Sequence, residues 1–305
     1  MKAHDYMEAA HEGDAAAQFH LGLCYAKGAG TQKDIAEAVK WFRKSAKQNY
    51  AEAQYNLGIC NVNGTGMSKS LYKAFRWYKR AADQGHCKAQ CNVGVCYSTG
   101  AGVAKNYTKA VEWYMKAVAA GDPVTQCNLG VCYEKGLGVE KDLSVAEKWY
   151  LQAAEQGHTE ALCKLGSWYY TGEVVEKNMV KAYKYFKKAA ERGDYIAMCN
   201  LGTCYYFGNG IEKNTTKAVE WYKKSAKLGN ARAQYSLGNC YELGKGIEVD
   251  LVKAFEWYKK AAEQGNIKAQ ASLGACYANG FGTEKNMELA AKWFKKSSRA
   301  RLIEQ

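Results

Sequence analysis

No run of ~18 apolar residues occurs in the chain, so no membrane-spanning helix is expected. The opening residues, MKAHDYMEAAHEGD, carry charges throughout and hold no apolar core of signal-peptide length. That argues against export and for a cytoplasmic protein. Histidine is scarce: only His4, His11, His20, His86 and His158 occur. None combines with a serine and an aspartate into a nucleophile, base and orienting group, so no catalytic residue is assigned and no enzyme is expected. The one mixed thiol and imidazole cluster, His86, Cys87 and Cys91, lacks a C-x-x-C or a distant His pair. It therefore reads as a turn histidine beside two thiols, not as a zinc site, and no metal or cofactor is expected. There is a single proline, Pro123. It follows Asp122, the pairing expected where a helix begins. Three N-x-[ST] triplets, at Asn63, Asn106 and Asn214, read as chance motifs.

Cysteine, by contrast, is plentiful, at 12 residues. Such a count marks a disulfide framework in a short secreted domain, but the length and missing leader argue for reduced thiols. Internal repetition explains most of them. Gly22, Gly58, Gly94, Gly130, Gly166, Gly202, Gly238 and Gly274 stand 36 residues apart, without a slip. Trp41, Trp77, Trp113, Trp149, Tyr185, Trp221, Trp257 and Trp293 keep the same step. Repeats start near residues 15, 51, 87, 123, 159, 195, 231 and 267.

In the repeat from 123 to 158, Thr125, Leu129, Cys132 and Tyr133 share one helical face. Gly136 suits a left-handed C-cap there. Asp142 stands where the second helix needs an N-cap, and Asp34, Ser70, Asn106, Asn178, Asn214, Asp250 and Asn286 take that place elsewhere. Ala146, Trp149, Tyr150, Ala153 and Ala154 form the apolar face of the second helix, and Gly157 ends it. A lone hairpin cannot bury both faces, whereas stacked copies can. The expectation is an all-α, right-handed α-solenoid of eight 36-residue helix–turn–helix repeats over residues 15–302, with one continuous core. Residues 1–14 read as a capping half-repeat and 303–305 as a tail. Arg301 replaces the terminating glycine, so the last helix is expected to run on through 299–303 and close the stack. Cys24, Cys60, Cys96, Cys132, Cys204, Cys240 and Cys276 lie on the buried stripe, where cysteine acts as a small hydrophobe; a redox or ligand role is the alternative. The fifth repeat offers Trp168 in the cysteine place and Tyr185 in the tryptophan place, which reads as a compensating exchange of volume.

The block A-x-x-x-L-G-x-x-Y-x-x-G-x-G-V-x-K-D-x-x-K-A-x-x-W-Y-x-K-A-A-x-x-G resembles the Sel-1-like repeat family, a relative of the tetratricopeptide repeats. The resemblance implies an adaptor that holds other proteins, and leaves the partner unnamed. Cysteine-rich bacterial members of the family link successive hairpins by disulfides, and some are penicillin-binding or β-lactamase-like. Here Cys91, Cys127, Cys163 and Cys199 face Ala82, Val118, Ala154 and Ala190 at the partner positions, so that pattern is missing. The enzyme reading stays as an alternative only. A carboxylate clamp of the tetratricopeptide kind is not supported either, since Tyr235 and Ser272 replace its Lys and Asn beside Asn239. The Gly-x-Gly loop looks like a phosphate cradle, but lacks a preceding strand and a Gly-Lys-[ST] ending, so it reads as a hairpin turn.

Lysine and arginine exceed the acids by 43 − 30 = +13. Thirteen cations form a stripe on the second helices: Arg43, Lys44, Lys79, Arg80, Lys116, Lys187, Lys188, Lys223, Lys224, Lys259, Lys260, Lys295 and Lys296. A solvated outer face is the simple reading, and a polyanion binder the alternative. No aromatics are interleaved with the stripe, and no specific nucleic-acid binding is expected. In related arrays the first helices line the concave face. The partner-binding positions there are read as Glu160, Ser167, Tyr170, Thr203, Tyr206, Phe207, Arg232, Tyr235, Asn239 and Glu242, with Cys163 and Cys199 beside them. Tyr170 and Tyr206 have a second reading, as rings packed on neighbouring helices. Lys27, Lys88, Lys135, Arg232 and Lys268 nearly balance Glu52, Glu134, Glu160 and Glu242, so the groove reads as close to neutral. The function expected is a monomeric scaffold for a peptide or protein ligand.

Overall fold

A computed structural model describes residues 2–303, and side chains from 2 to 298. Among the described residues there are seventeen α-helices and no strand. After α1 (His4–Glu12), hairpins follow one another. Their first helices are α2 (Ala15–Lys27), α4 (Ala51–Asn63), α6 (Cys87–Thr99), α8 (Pro123–Lys135), α10 (Thr159–Thr171), α12 (Tyr195–Phe207), α14 (Ala231–Leu243) and α16 (Ile267–Asn279). The second helices are α3 (Ile35–Lys47), α5 (Leu71–Asp83), α7 (Tyr107–Ala117), α9 (Leu143–Glu155), α11 (Met179–Glu191), α13 (Thr215–Lys227), α15 (Leu251–Glu263) and α17 (Met287–Ile303). The expected run through 299–303 is present in α17; the side chains meant to close the stack, and the tail beyond 303, lie outside the described residues.

Caps set the boundaries. Each of the eight expected N-caps of the second helices accepts a backbone N–H three residues on, as Asp142 does from Val145 at 2.9 Å. The first helices use Asp14, Asp122, Asp194, Asn230 and Asn266 in the same way. His86 and His158 also cap through Nδ1, accepting from Ala89 at 3.1 Å and from Ala161 at 3.4 Å. His86 is thus more than a turn residue: it holds the start of α6.

The chain divides into two compact units, Met1–Gln156 and Gly157–Gln305, between the fourth and fifth repeats, where the sequence suggests one uninterrupted core. Contacts in a repeat array run between neighbours, so compactness belongs to groups of repeats rather than to the whole chain. Within each unit the core is built alike. The glycine of each first helix lies under the ring that follows the tryptophan position. A Cβ added at Gly130 would lie 2.6 Å from Tyr150 Cε1, and one at Gly238 2.6 Å from Tyr258 Cε1. Around these contacts pack buried alanines and leucines such as Ala53 and Leu57 in the first unit, and Ala233 and Leu237 in the second.

A buried polar spine accompanies this core. Gln54 is 1% exposed. It donates to the Ala46 carbonyl at 3.2 Å and accepts from Gln84 at 2.7 Å. Gln18 with Gln48, and Gln234 with Gln264, repeat the arrangement. These three first helices are thereby tied both to the end of the preceding helix and to their own partner. Buried amides are tolerated because they are hydrogen-bonded. Leu162 and Met198 hold this place in the fifth and sixth repeats and are buried too.

Candidate functional site

The second unit carries an open pocket of about 740 Å³, walled by three successive first helices. α12 contributes Thr203, Tyr206 and Phe207; α14 contributes Arg232, Tyr235, Ser236 and Asn239. The first turn of α16, around Ile267 and Lys268, closes one side, and Lys245 reaches in from the loop after α14. Tyr222 of α13 lies beneath. Period-36 placement brings these residues together, since equivalent positions on consecutive hairpins stand side by side.

Six expected residues line this pocket together: Thr203, Tyr206, Phe207, Arg232, Tyr235 and Asn239. Glu160, Ser167, Tyr170 and Glu242 do not line it. Glu160 is exposed in the first turn of α10, and Ser167 is half-buried on the same helix. Tyr170 is half-buried, with its ring 6.3 Å from Phe186 and its hydroxyl accepting from Asn209 at 3.2 Å. Glu242 is turned inward, accepting the hydroxyl proton of Tyr258. Cys199 is 1% exposed, so it belongs to the core and not to the groove.

The polar lining is held in place. Arg232 donates to Asn200 Oδ1 at 2.6 Å, and Asn200 is itself buried. Tyr222 donates to Thr203 Oγ1 at 3.3 Å, while Thr203 donates to the Cys199 carbonyl at 3.0 Å. Tyr206 packs edge-on against Phe207 at 4.8 Å, with the Lys245 ammonium 5.9 Å from the Tyr206 ring centre. Phe207 is 64% exposed, which is unusual for a phenylalanine. Sequence reasoning passed over Lys245 because it treated the loops as turns only. The signal was present: the equivalent places hold Ala29, Thr65, Ala101, Leu137, Glu173, Asn209 and Phe281, with no other cation.

The outer stripe is different from its sequence reading. Aromatic rings do underlie it: Lys44 sits 3.8 Å from the ring centre of Trp41, Lys116 4.3 Å from Trp113, Lys224 4.1 Å from Trp221 and Lys260 4.4 Å from Trp257. The period of the helix places the cation three residues after each of these tryptophans over its face. These rings are covered by the protein's own cations.

None of the twelve cysteines forms a disulfide, and ten of them are buried. Burial pushes Cys96, Cys132, Cys204, Cys240 and Cys276 up to about 11. They are protonated at neutral pH and poor nucleophiles or metal ligands. Among the described residues no cluster of His, Cys, Asp and Glu is arranged to hold a metal ion, and no helix is long and apolar enough to cross a membrane.

Successive 36-residue helical hairpins, with a pocket on the first helices of the second unit, define a helical-repeat protein. The chain belongs to the Sel1 repeat family, whose pattern matches residues 15–50, 51–86, 87–122, 123–158, 159–194, 196–230, 231–266 and 267–301. It is 37% identical to c5321, a protective antigen of uropathogenic Escherichia coli strains displaying an SLR fold. That match covers 98% of this chain and 64% of the other, with a TM-score of 0.87. A Sel1 repeat protein from Oxalobacter formigenes is 36% identical over 80% of this chain and 96% of its own, with a TM-score of 0.72. A stretch of 38 residues is 55% identical to DAP3-binding cell death enhancer 1 of Rattus norvegicus, covering 12% of this chain and 8% of that protein. This chain therefore spans less than two thirds of the E. coli chain and a small part of the rat protein.

Proposed function

We propose that this protein is a scaffold that holds a peptide or protein segment in the pocket of repeats six to eight. The observation that carries the reading is the exposed Phe207, set beside Tyr206 and Tyr235 in a concavity with fixed polar groups. Rigid aromatic anchors in a recess are where binding energy concentrates at protein interfaces. The fit with the family is direct, since Sel1 repeat proteins are typically protein-interaction scaffolds. The rat relative is itself described as binding another protein. Twelve cysteines without a disulfide suit a reducing compartment such as the cytoplasm.

The test uses a partner captured by the immobilised intact chain. Phe207→Ala with Tyr235→Ala is expected to weaken capture at least tenfold while helicity is unchanged. Charge reversal of Lys187, Lys188, Lys223 and Lys224 is expected to leave capture intact. The opposite pattern would move the binding face to the outer stripe. A nitrocefin assay is expected to show no hydrolysis.

A further inference from the structure

Charge in the pocket is of one sign. Arg232, Lys245 and Lys268 all line it, and no carboxylate does. Glu242, three residues from both Asn239 and Lys245, is turned to Tyr258. Among the described residues none of the three cations makes a salt bridge. Arg232 is anchored instead to a neutral acceptor, Asn200, which leaves its charge uncompensated. The first turn of α16 adds to this side of the pocket. Asn266 caps Ala269, while the N–H groups of Ile267 and Lys268 have no intrahelical acceptor. The pocket is therefore locally cationic.

The three cations come from three different elements and have aromatic and aliphatic side chains between them. A compact dianion would use them poorly. Acidic side chains distributed along an extended chain, with apolar ones between, match the pattern. Resting on the groove reading above, we infer that this pocket selects an acidic peptide segment. Its Asp or Glu side chains meet Arg232, Lys245 and Lys268, and an apolar side chain meets Phe207 and Ile267. Charge-assisted hydrogen bonds to a carboxylate supply selectivity that the aromatic walls alone lack.

The experiment is fluorescence anisotropy with the intact chain and labelled, C-terminally amidated ten-residue peptides. One alternates Glu with Phe; the others replace every Glu by Gln, Lys or phosphoserine. The Glu peptide is expected to bind at least about tenfold more tightly than the Gln peptide at low salt, a gap that narrows as salt screens the charges. Arg232→Gln, Lys245→Gln and Lys268→Gln together should bring the Glu peptide down to the level of the Gln peptide, with helicity unchanged. All three side chains are exposed. Gln substitutions at Lys187, Lys188, Lys223 and Lys224 should change nothing. Equal binding of the Glu and Gln peptides, no binding of the Glu peptide, or retention by the triple variant overturns the inference. So does loss in the outer-stripe variant, or binding of the phosphoserine peptide alone. The two readings separate cleanly: equal Glu and Gln binding that Phe207→Ala with Tyr235→Ala abolishes keeps the groove and removes only its acidic preference.

Discussion

Gly100 and Gly102 stand two residues apart in the same loop, both with left-handed backbone, at φ +81° and +76°. Their surroundings differ. A Cβ added at Gly100 meets nothing closer than Lys105 Cβ at 3.6 Å, an ordinary contact. A Cβ at Gly102 would lie 2.7 Å from the Tyr72 nitrogen, and nearer still to the carbonyl of Leu71. That is backbone of the preceding hairpin, which cannot rotate aside. Gly100→Ala therefore bears only the left-handed penalty, about 1–2 kcal/mol. Gly102→Ala bears the same penalty plus an overpacking cost of about 1–3 kcal/mol. The smaller unfolded-state entropy of alanine applies to both and cancels in the difference. Urea unfolding of both variants, followed by circular dichroism, measures that difference once the transition has been checked for cooperativity. Gly102→Ala is expected to be the less stable by about 1–3 kcal/mol. Equal losses would refute the reasoning, since they would mean that the loop does not press on the hairpin before it.

Four further outcomes are expected. The His86 ring is a cap only while Nδ1 is unprotonated, and burial, the largest cause, lowers its pKa below 6.5. Its contribution is therefore present above pH 6.5 and lost as pH falls through the lowered folded value. His86→Asn should keep a cap worth about 1 kcal/mol and flatten the fall in stability between pH 7.5 and 5, measured against the unaltered chain. Alkylation after denaturation should modify all 12 cysteines. In the native protein half-buried Cys87 should react before half-buried Cys163, whose thiol is pushed up by burial and by the Asp194 carboxylate, and peptide mass mapping reads the order. Trp168→Cys should cost on the order of 3–5 kcal/mol, and adding Tyr185→Trp should recover part of it; strict additivity in a double-mutant cycle would show that the two side chains do not share a core.

The repeat period, the helix boundaries and the buried thiols were legible in the residues alone. Each rests on interactions within a few positions: Asp142 capping Val145, Gly136 ending α8, and Cys132 recurring on one helical stripe. Such features are decided by backbone geometry and helical periodicity, which local sequence encodes. Other features depend on residues beyond the local helix or loop, from 8 to 39 positions away. Gln54 reads as an ordinary polar residue until Gln84 and the Ala46 carbonyl are beside it. Gly102 reads as a turn glycine until Leu71 is under it. Among the groove positions, Tyr170 and Glu242 were expected beside Phe207, yet their hydrogen bonds to Asn209 and Tyr258 hold them outside the pocket. Lys245, from a loop with no recurrent cation, enters it. Summing charge along the groove gave near neutrality; only the packing of consecutive hairpins brings Arg232, Lys245 and Lys268 around one recess and turns Glu242 away. The physical reason is that electrostatics acts over distances in space, and the folded array, not the sequence, sets which charges are near.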